Sequence, residues 1–247
     1  MRDVKPLMTR SKAALTKVLI AYVRANPTDS LEQVSRVVLQ ELRQLAESGR
    51  PILGADKDLA GESLELRVFL LFQLMGLDIR RGRPSLEDFV VEPPAEANTK
   101  HPLVIEVKSG RKSSVSRDDL RQLDDWVFDL SQEEMARKQG LGGGFDPLAM
   151  ETQGLVSLKH HHPTPHKGVL VFNLPVGTPF DQRTVDCLSP DELTFARKRN
   201  FCVIPIKHLI DASEIIAKGK KSAADFWESI HESLGEYGKD WLAPPRL

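Results

Sequence analysis

No run of about 18 apolar residues occurs anywhere in the 247-residue chain, so no segment reads as a membrane-spanning helix. The opening stretch MRDVKPLMTRSKAALTK lacks the apolar core and small-residue cleavage site of a secretory signal, and a cytoplasmic protein is expected. Cysteine is scarce: Cys187 and Cys202 are the two present, both in apolar surroundings and with no Cys-x-x-Cys spacing. That argues against a disulfide framework and against a structural zinc site. The Gly142–Gly144 run is not followed by Gly-Lys-Ser/Thr, so a nucleotide-binding P-loop is not expected. His160, His161, His162 and His166 cluster, but Pro163 and Pro165 break any helix that would align His162 with His166. A polar loop near the substrate is the expectation there. No internal repeat is present.

Charge of one sign is also missing, because the formal net charge is −1. The distribution is less even than the total. Residues 1–24 hold six Lys/Arg against one acid, and Lys108–Arg121 holds five against two. Further clusters lie at Arg197–Arg199 and at Lys218, Lys220 and Lys221. Local basic patches can meet phosphates without a basic total, although any single cluster also serves as a solvated face. With 40% apolar residues the chain can bury a full core, and its length suits one large domain or a medium domain with a helical extension.

Periodicity predicts the elements. Residues 11–24 read as a helix ended by Asn26-Pro27. A second helix starts from a capping box at Ser30 and Gln33 and runs to about Glu47, with Val34, Val38, Leu42 and Leu45 on one face. The pair forms a helical hairpin extension over residues 1–55, ahead of a core spanning 56–247. Gly61 opens a third helix over 62–75, apolar nearly all round and ended by Gly76. Strands follow at Phe89–Val91 and Leu103–Val107, then a helix from a Ser116 cap to about Leu130. Residues 139–166 read as a long loop, Val169–Phe172 and Phe201–Ile206 as strands, and 207–234 as helical. Pro205 places the last strand at an edge or ends it there. The order implies an α/β fold, a mixed sheet covered by helices.

Chemistry concentrates around Val104-Ile105-Glu106-Val107-Lys108. Alternate residues of a strand share a face, so Glu106 and Lys108 point one way and Leu103, Ile105 and Val107 the other. Asp88 lies 18 residues earlier, at the start of the preceding strand. A hairpin through Pro93–His101 brings it beside Glu106. Two convergent carboxylates suit Mg²⁺, a hard cation that keeps several waters. Glu65 sits one turn into an otherwise apolar helix, on the line of Phe69 and Phe72, where a carboxylate needs a partner or an exposed helix start. Gln122 and Trp126, four apart, share a helix face and can project toward the strand end with Lys108.

The stretches GESLELRVFLLFQLMGLDI, EDF, VIEVKSG and QLDDW, in that order, resemble the PD-(D/E)XK nuclease superfamily. So does the later text KGVLVFN…PFDQR…FARKRNFCVIPIKHLI, so the resemblance covers about residues 60–230 and leaves the first 50 outside. Glu87 stands where the family's name puts proline. The resemblance implies a restriction-endonuclease-like mixed sheet and a metal-dependent endonuclease acting on DNA, in phage defence, restriction or repair. Asp88 and Glu106, with the carbonyl of Val107, would ligate Mg²⁺ or a substituting Mn²⁺. Lys108 would orient or deprotonate the attacking water, and Glu65 would bind the metal through water or hold a second ion. Gln122 would orient Lys108 or contact a phosphate, and Arg111, Lys112, Arg117 and Arg183 would contact the DNA backbone. By analogy with double-strand cutters a homodimer is a further expectation, with the N-terminal helices open to a protein partner. The alternative is a catalytically silent module that binds nucleic acid or protein.

Overall fold

The structure, a computed structural model, describes residues 31–48, 60–82, 88–108, 115–138, 166–174, 177–180 and 188–237. The expected helix over 11–24, the boundary near residue 55, the Gly142–Gly144 run and His160–His162 lie outside these residues.

Strands β1 (Asp78–Arg81), β2 (Phe89–Glu92), β3 (Leu103–Lys108), β4 (Lys167–Phe172), β5 (Cys202–Pro205) and β6 (Gly235–Glu236) form one six-stranded sheet in sequence order. β1, β2 and β3 run antiparallel to their neighbours, and β3, β4, β5 and β6 run parallel. The central strands are buried along their length, as expected of strands covered on both faces. The fold class is α/β, with a mixed sheet flanked by helices.

Helices α1 (Leu31–Ser48), α2 (Ala60–Leu74), α5 (Ile206–Ala217) and α6 (Ala223–Glu232) cover one face. Their core takes Leu103, Ile105 and Val107 from β3 and Val169 and Val171 from β4. Helices α3 (Arg117–Lys138) and α4 (Pro190–Lys198) cover the other, over Val104, Leu170, Phe172 and Val203. Leu42 and Leu45 of α1 are buried in the same core as α2 and α5, so this helix packs directly on the sheet's covering layer. α2 is so enclosed that even Arg67 is 1% exposed, and Gly76 (φ 90) ends it as Leu77 N–H bonds back to the carbonyl of Phe72.

Four features depart from the expectation. β1 is an unanticipated edge strand whose buried side chain is Ile79 among charged neighbours. The region expected to be one helix over 207–234 breaks at Gly219 (φ 67), and a capping box of Ser222 with Asp225 starts α6. α4 adds a helix capped by Ser189 with proline at its start. β5 ends at Pro205, as expected of that proline, but it is neither the edge nor the last strand, since the short β6 pairs outside it.

Lys167 closes the sheet end where β4 begins. It is fully buried, and its Nζ donates to Asn200 Oδ1 (2.8 Å) and to the carbonyls of His231 (3.2 Å) and Ser233 (2.6 Å). Burial lowers its pKa to about 8. His231 stands on Trp227 with ring centroids 5.1 Å apart. Burial, and then the Lys167 charge, hold His231 down to about 4 from 6.5.

Two predictions follow from this packing. A Cβ on Gly168 would stand 2.6 Å from Phe201 Cδ1 and 3.1 Å from Leu123 Cδ2. Gly168→Ala is expected to cost about 1–3 kcal/mol in denaturant unfolding; an unchanged midpoint would contradict this packing. Because His231 stays neutral in the fold while the unfolded chain takes up a proton below its ordinary pKa, stability is present above pH 6.5 and is lost as pH falls toward 4. His231→Phe should flatten that slope in thermal melts from neutral to acid pH.

Candidate active site

β3 lies between β2 and β4, and its C-terminal end gathers the charged residues. The register Phe89↔Ile105 of the antiparallel pair sets Asp88 across from Glu106 on the α3 side of the sheet. The Val107 N–H donates to Asp88 Oδ2 at 2.7 Å. Asp88 thus extends the ladder with its side chain, one residue before β2 begins. Glu106 is 4% exposed. It ion-pairs through Oε1 with Lys108 Nζ, and its Oε2 is buried without a hydrogen-bond donor. Lys108 Nζ also donates to Gln122 Oε1 at 3.0 Å, from the second turn of α3. Trp126, one turn on, goes into the core.

Burial, and then the negative charge of Asp88, raise the Glu106 pKa from 4.5 to about 8, against the pull of Lys108. Two carboxylates and one ammonium leave this pocket short of positive charge. A divalent cation would offset both the burial and the repulsion. Among the described residues no three His, Cys, Asp or Glu side chains gather as a metal shell. The groups that would face a cation here are the Asp88 and Glu106 carboxylates, with the Val107 carbonyl on the same strand. Hard oxygens, few protein ligands and a buried carboxylate oxygen lacking a donor fit Mg²⁺ or Mn²⁺, which complete their shells with water.

The structure thus brings together Asp88, Glu106, Val107, Lys108 and Gln122. Glu65 comes from elsewhere: it is half-buried on α2, which covers the opposite face. α2 and β1 are joined by the tight turn at Gly76, so the start of α2 lies toward the sheet end that holds Asp88. Phe69, one turn after Glu65, meets Phe89 at 5.3 Å between ring centroids. Glu65 therefore approaches this end from the other layer.

Of the basic residues expected on DNA, Arg111, Lys112 and Arg183 lie outside the described residues. Arg117 stands in the first turn of α3, its guanidinium 4.4 Å from the Phe195 ring centroid and 3.5 Å from the carbonyl of Asp191. Arg199 lies beyond the far end of α4, away from Lys108, and pairs with Asp124 at 3.3 Å. His166 is buried just before β4, also at the far end. Asn173 went unnoticed in the sequence, although it is the polar residue directly after the apolar run KGVLVF. Its N–H donates to the Lys108 carbonyl at 3.0 Å.

Among the described residues, no helix is long and apolar enough to cross a membrane. No protein-family model matches the chain, and no curated protein matches it. Among solved structures, the chain is similar to the restriction endonuclease FokI, at 13% identity and a TM-score of 0.49 over 81% of this chain and 30% of that one. It is also similar to FokI bound to DNA, at 11% identity and a TM-score of 0.47, over 92% of this chain and 34% of that one. The chain therefore spans about a third of the length of those proteins, and the site rests on its own residues.

Proposed function

We propose that this chain is a metal-dependent endonuclease that hydrolyses phosphodiester bonds of DNA at the end of β3. The observation that carries this reading is the convergence of Asp88, Glu106, Lys108 and Gln122 from three elements on one strand end. Asp88 and Glu106, with the Val107 carbonyl, would hold Mg²⁺ or Mn²⁺; Glu65 would reach it through water. The bound cation would supply Lewis-acid activation of the phosphate and favour ionisation of a water.

The chain's own groups do the rest. Lys108 Nζ, fixed between Glu106 and Gln122, orients the attacking water and stabilises negative charge developing on the phosphate. Asp88 holds the strand end through the Val107 N–H while presenting its carboxylate to the site. Gln122 restricts Lys108 to one position, which lowers the entropy cost of alignment. Arg117, kept extended by Phe195, contributes a phosphate contact, as would Arg111, Lys112 and Arg183. A homodimer supplies a second site where both strands are cut. Phage defence, restriction and repair are the settings in which such an activity is used.

The test is cleavage of supercoiled and linear DNA with Mg²⁺ or Mn²⁺. Lys108→Ala is expected to lose about 10²–10⁴-fold in rate, the span of one positioned proton-transfer group. Asp88→Asn and Glu106→Gln should abolish cutting, and Gln122→Ala should cost less than Lys108→Ala. Mn²⁺ at a hundredfold excess over Kd should stabilise the wild type by about 2.7 kcal/mol and leave Asp88→Asn unmoved. A wild type that neither cuts DNA nor gains stability from Mn²⁺ sinks the reading and leaves the silent binding module. Cutting of RNA alone would correct the substrate.

A further inference from the structure

The carbonyl of Lys108 is held from outside the site. It accepts from the Asn173 N–H at 3.0 Å, where the chain leaves β4. The segment that follows is tied in turn to the end of α1. Asn173 Nδ2 donates to the carbonyl of Ala46 at 3.4 Å, Gly177 N–H to the carbonyl of Glu47 at 2.8 Å, and Phe180 N–H to Glu47 Oε1 at 2.7 Å. Carbonyls in a helix's last turn have no partner within the helix, so α1 has acceptors to offer there. Phe180 is clasped further: the Arg43 guanidinium stands 5.3 Å from its ring centroid and Lys207 Nζ 5.6 Å from it. Arg43 pairs with Glu214 of α5 and Lys207 with Asp211 at 2.6 Å, so both cations are anchored.

We propose that Glu47, in the N-terminal helix outside the nuclease-like motif, is a positioning residue for Lys108, acting with Ala46 beside it through Asn173, Gly177 and Phe180. The inference rests on the catalytic reading of Lys108 given above. Lys108 is constrained at two points: Glu106 and Gln122 set its Nζ, and Asn173 sets its backbone carbonyl. Glu47 holds Gly177 and Phe180 through its carbonyl and its carboxylate, and the carbonyl of Ala46 beside it accepts from Asn173 Nδ2, so the last turn of α1 holds all three residues together. Removing the carboxylate leaves the Phe180 N–H without its acceptor and loosens the end of α1 that holds Asn173, the donor to the Lys108 carbonyl. Small displacements of an aligning group act on the rate of the chemical step more than on substrate binding.

The experiment uses the full chain in two measurements: hydrogen exchange across residues 173–180, and kcat and KM for plasmid cleavage with Mg²⁺. In Glu47→Ala, exchange at Gly177 and Phe180 should quicken about tenfold, the scale of one lost hydrogen bond. Its kcat should fall about tenfold with KM within about twofold, short of the roughly hundredfold that a 1 Å misplacement can cost. Glu47→Gln keeps an oxygen acceptor at the same reach and should restore both readouts. Gln40→Ala, on the exposed side of α1, should match the wild type. If Glu47→Ala does not fold, Glu47→Asp, one methylene shorter, carries the same expected losses.

Equal losses in Glu47→Ala and Glu47→Gln, or a wild-type kcat in Glu47→Ala, overturn the positioning role. Unchanged exchange over 173–180 overturns the tether itself. A wild type that cuts no DNA overturns the reading of the site, and with it the catalytic part of this inference. The exchange measurement still decides the tether, so the two failures are distinguishable.

Discussion

A carboxylate buried in the middle of a sheet constrains everything around it. Glu106 belongs to a strand enclosed on both faces, where an isolated charge would be strongly disfavoured. Lys108 on the same strand face answers it, and Gln122 of α3 holds Lys108. Burial, and then the negative charge of Asp88, push the Glu106 pKa up from 4.5 to about 8. For stability alone, an apolar residue at 106 would serve better. A group shifted this far by burial and a like charge is a candidate functional residue, and the proposed cation would offset both effects.

The rest of the molecule orients that strand end. β2 reaches it through the Asp88 side chain on the Val107 N–H, and β4 reaches it through Asn173 on the Lys108 carbonyl. Two successive residues of β3 are therefore bonded from opposite sides, as expected of a central strand. The opposite end of the sheet is closed differently. There Lys167 takes three oxygen acceptors, and the C-terminal end of α6 supplies one of them as the His231 carbonyl. One buried lysine thus ties β4 to the last helix, while Lys108 at the other end stays partly exposed.

α1 changes how the chain's organisation is understood. The sequence reads it as the second helix of a hairpin ahead of the core. In the fold its apolar face enters the same core as α2 and α5, and its last turn grips the segment after β4. The contact is between residues more than 120 positions apart, which no local pattern records. The short edge strand β1 was hidden for a different reason: Asp78, Arg80 and Arg81 dominate its text, and an edge strand needs no apolar run. α4 carried its signals openly, with Ser189-Pro190 and acids ahead of Arg197 and Lys198, but the apolar face is too small to announce it.

Alternation within six residues was enough to put Glu106 and Lys108 on one face and Leu103, Ile105 and Val107 on the other, because strand periodicity is a local property of the backbone. Helix spacing likewise placed Gln122 near the strand end, although Trp126 went to the core instead of the site. The sequence alone also pointed to β2 and β3 as a hairpin, with Pro93-Pro94 ending β2. Only tertiary structure decided the burial that shifts the Glu106 pKa and the layer to which Glu65 belongs. It also decided that Arg199 is taken up by Asp124 and that the last turn of α1 meets Asn173 and Phe180. The physical reason is range: propensity and periodicity act over a turn or a strand, whereas desolvation and pairing depend on which distant elements exclude water together.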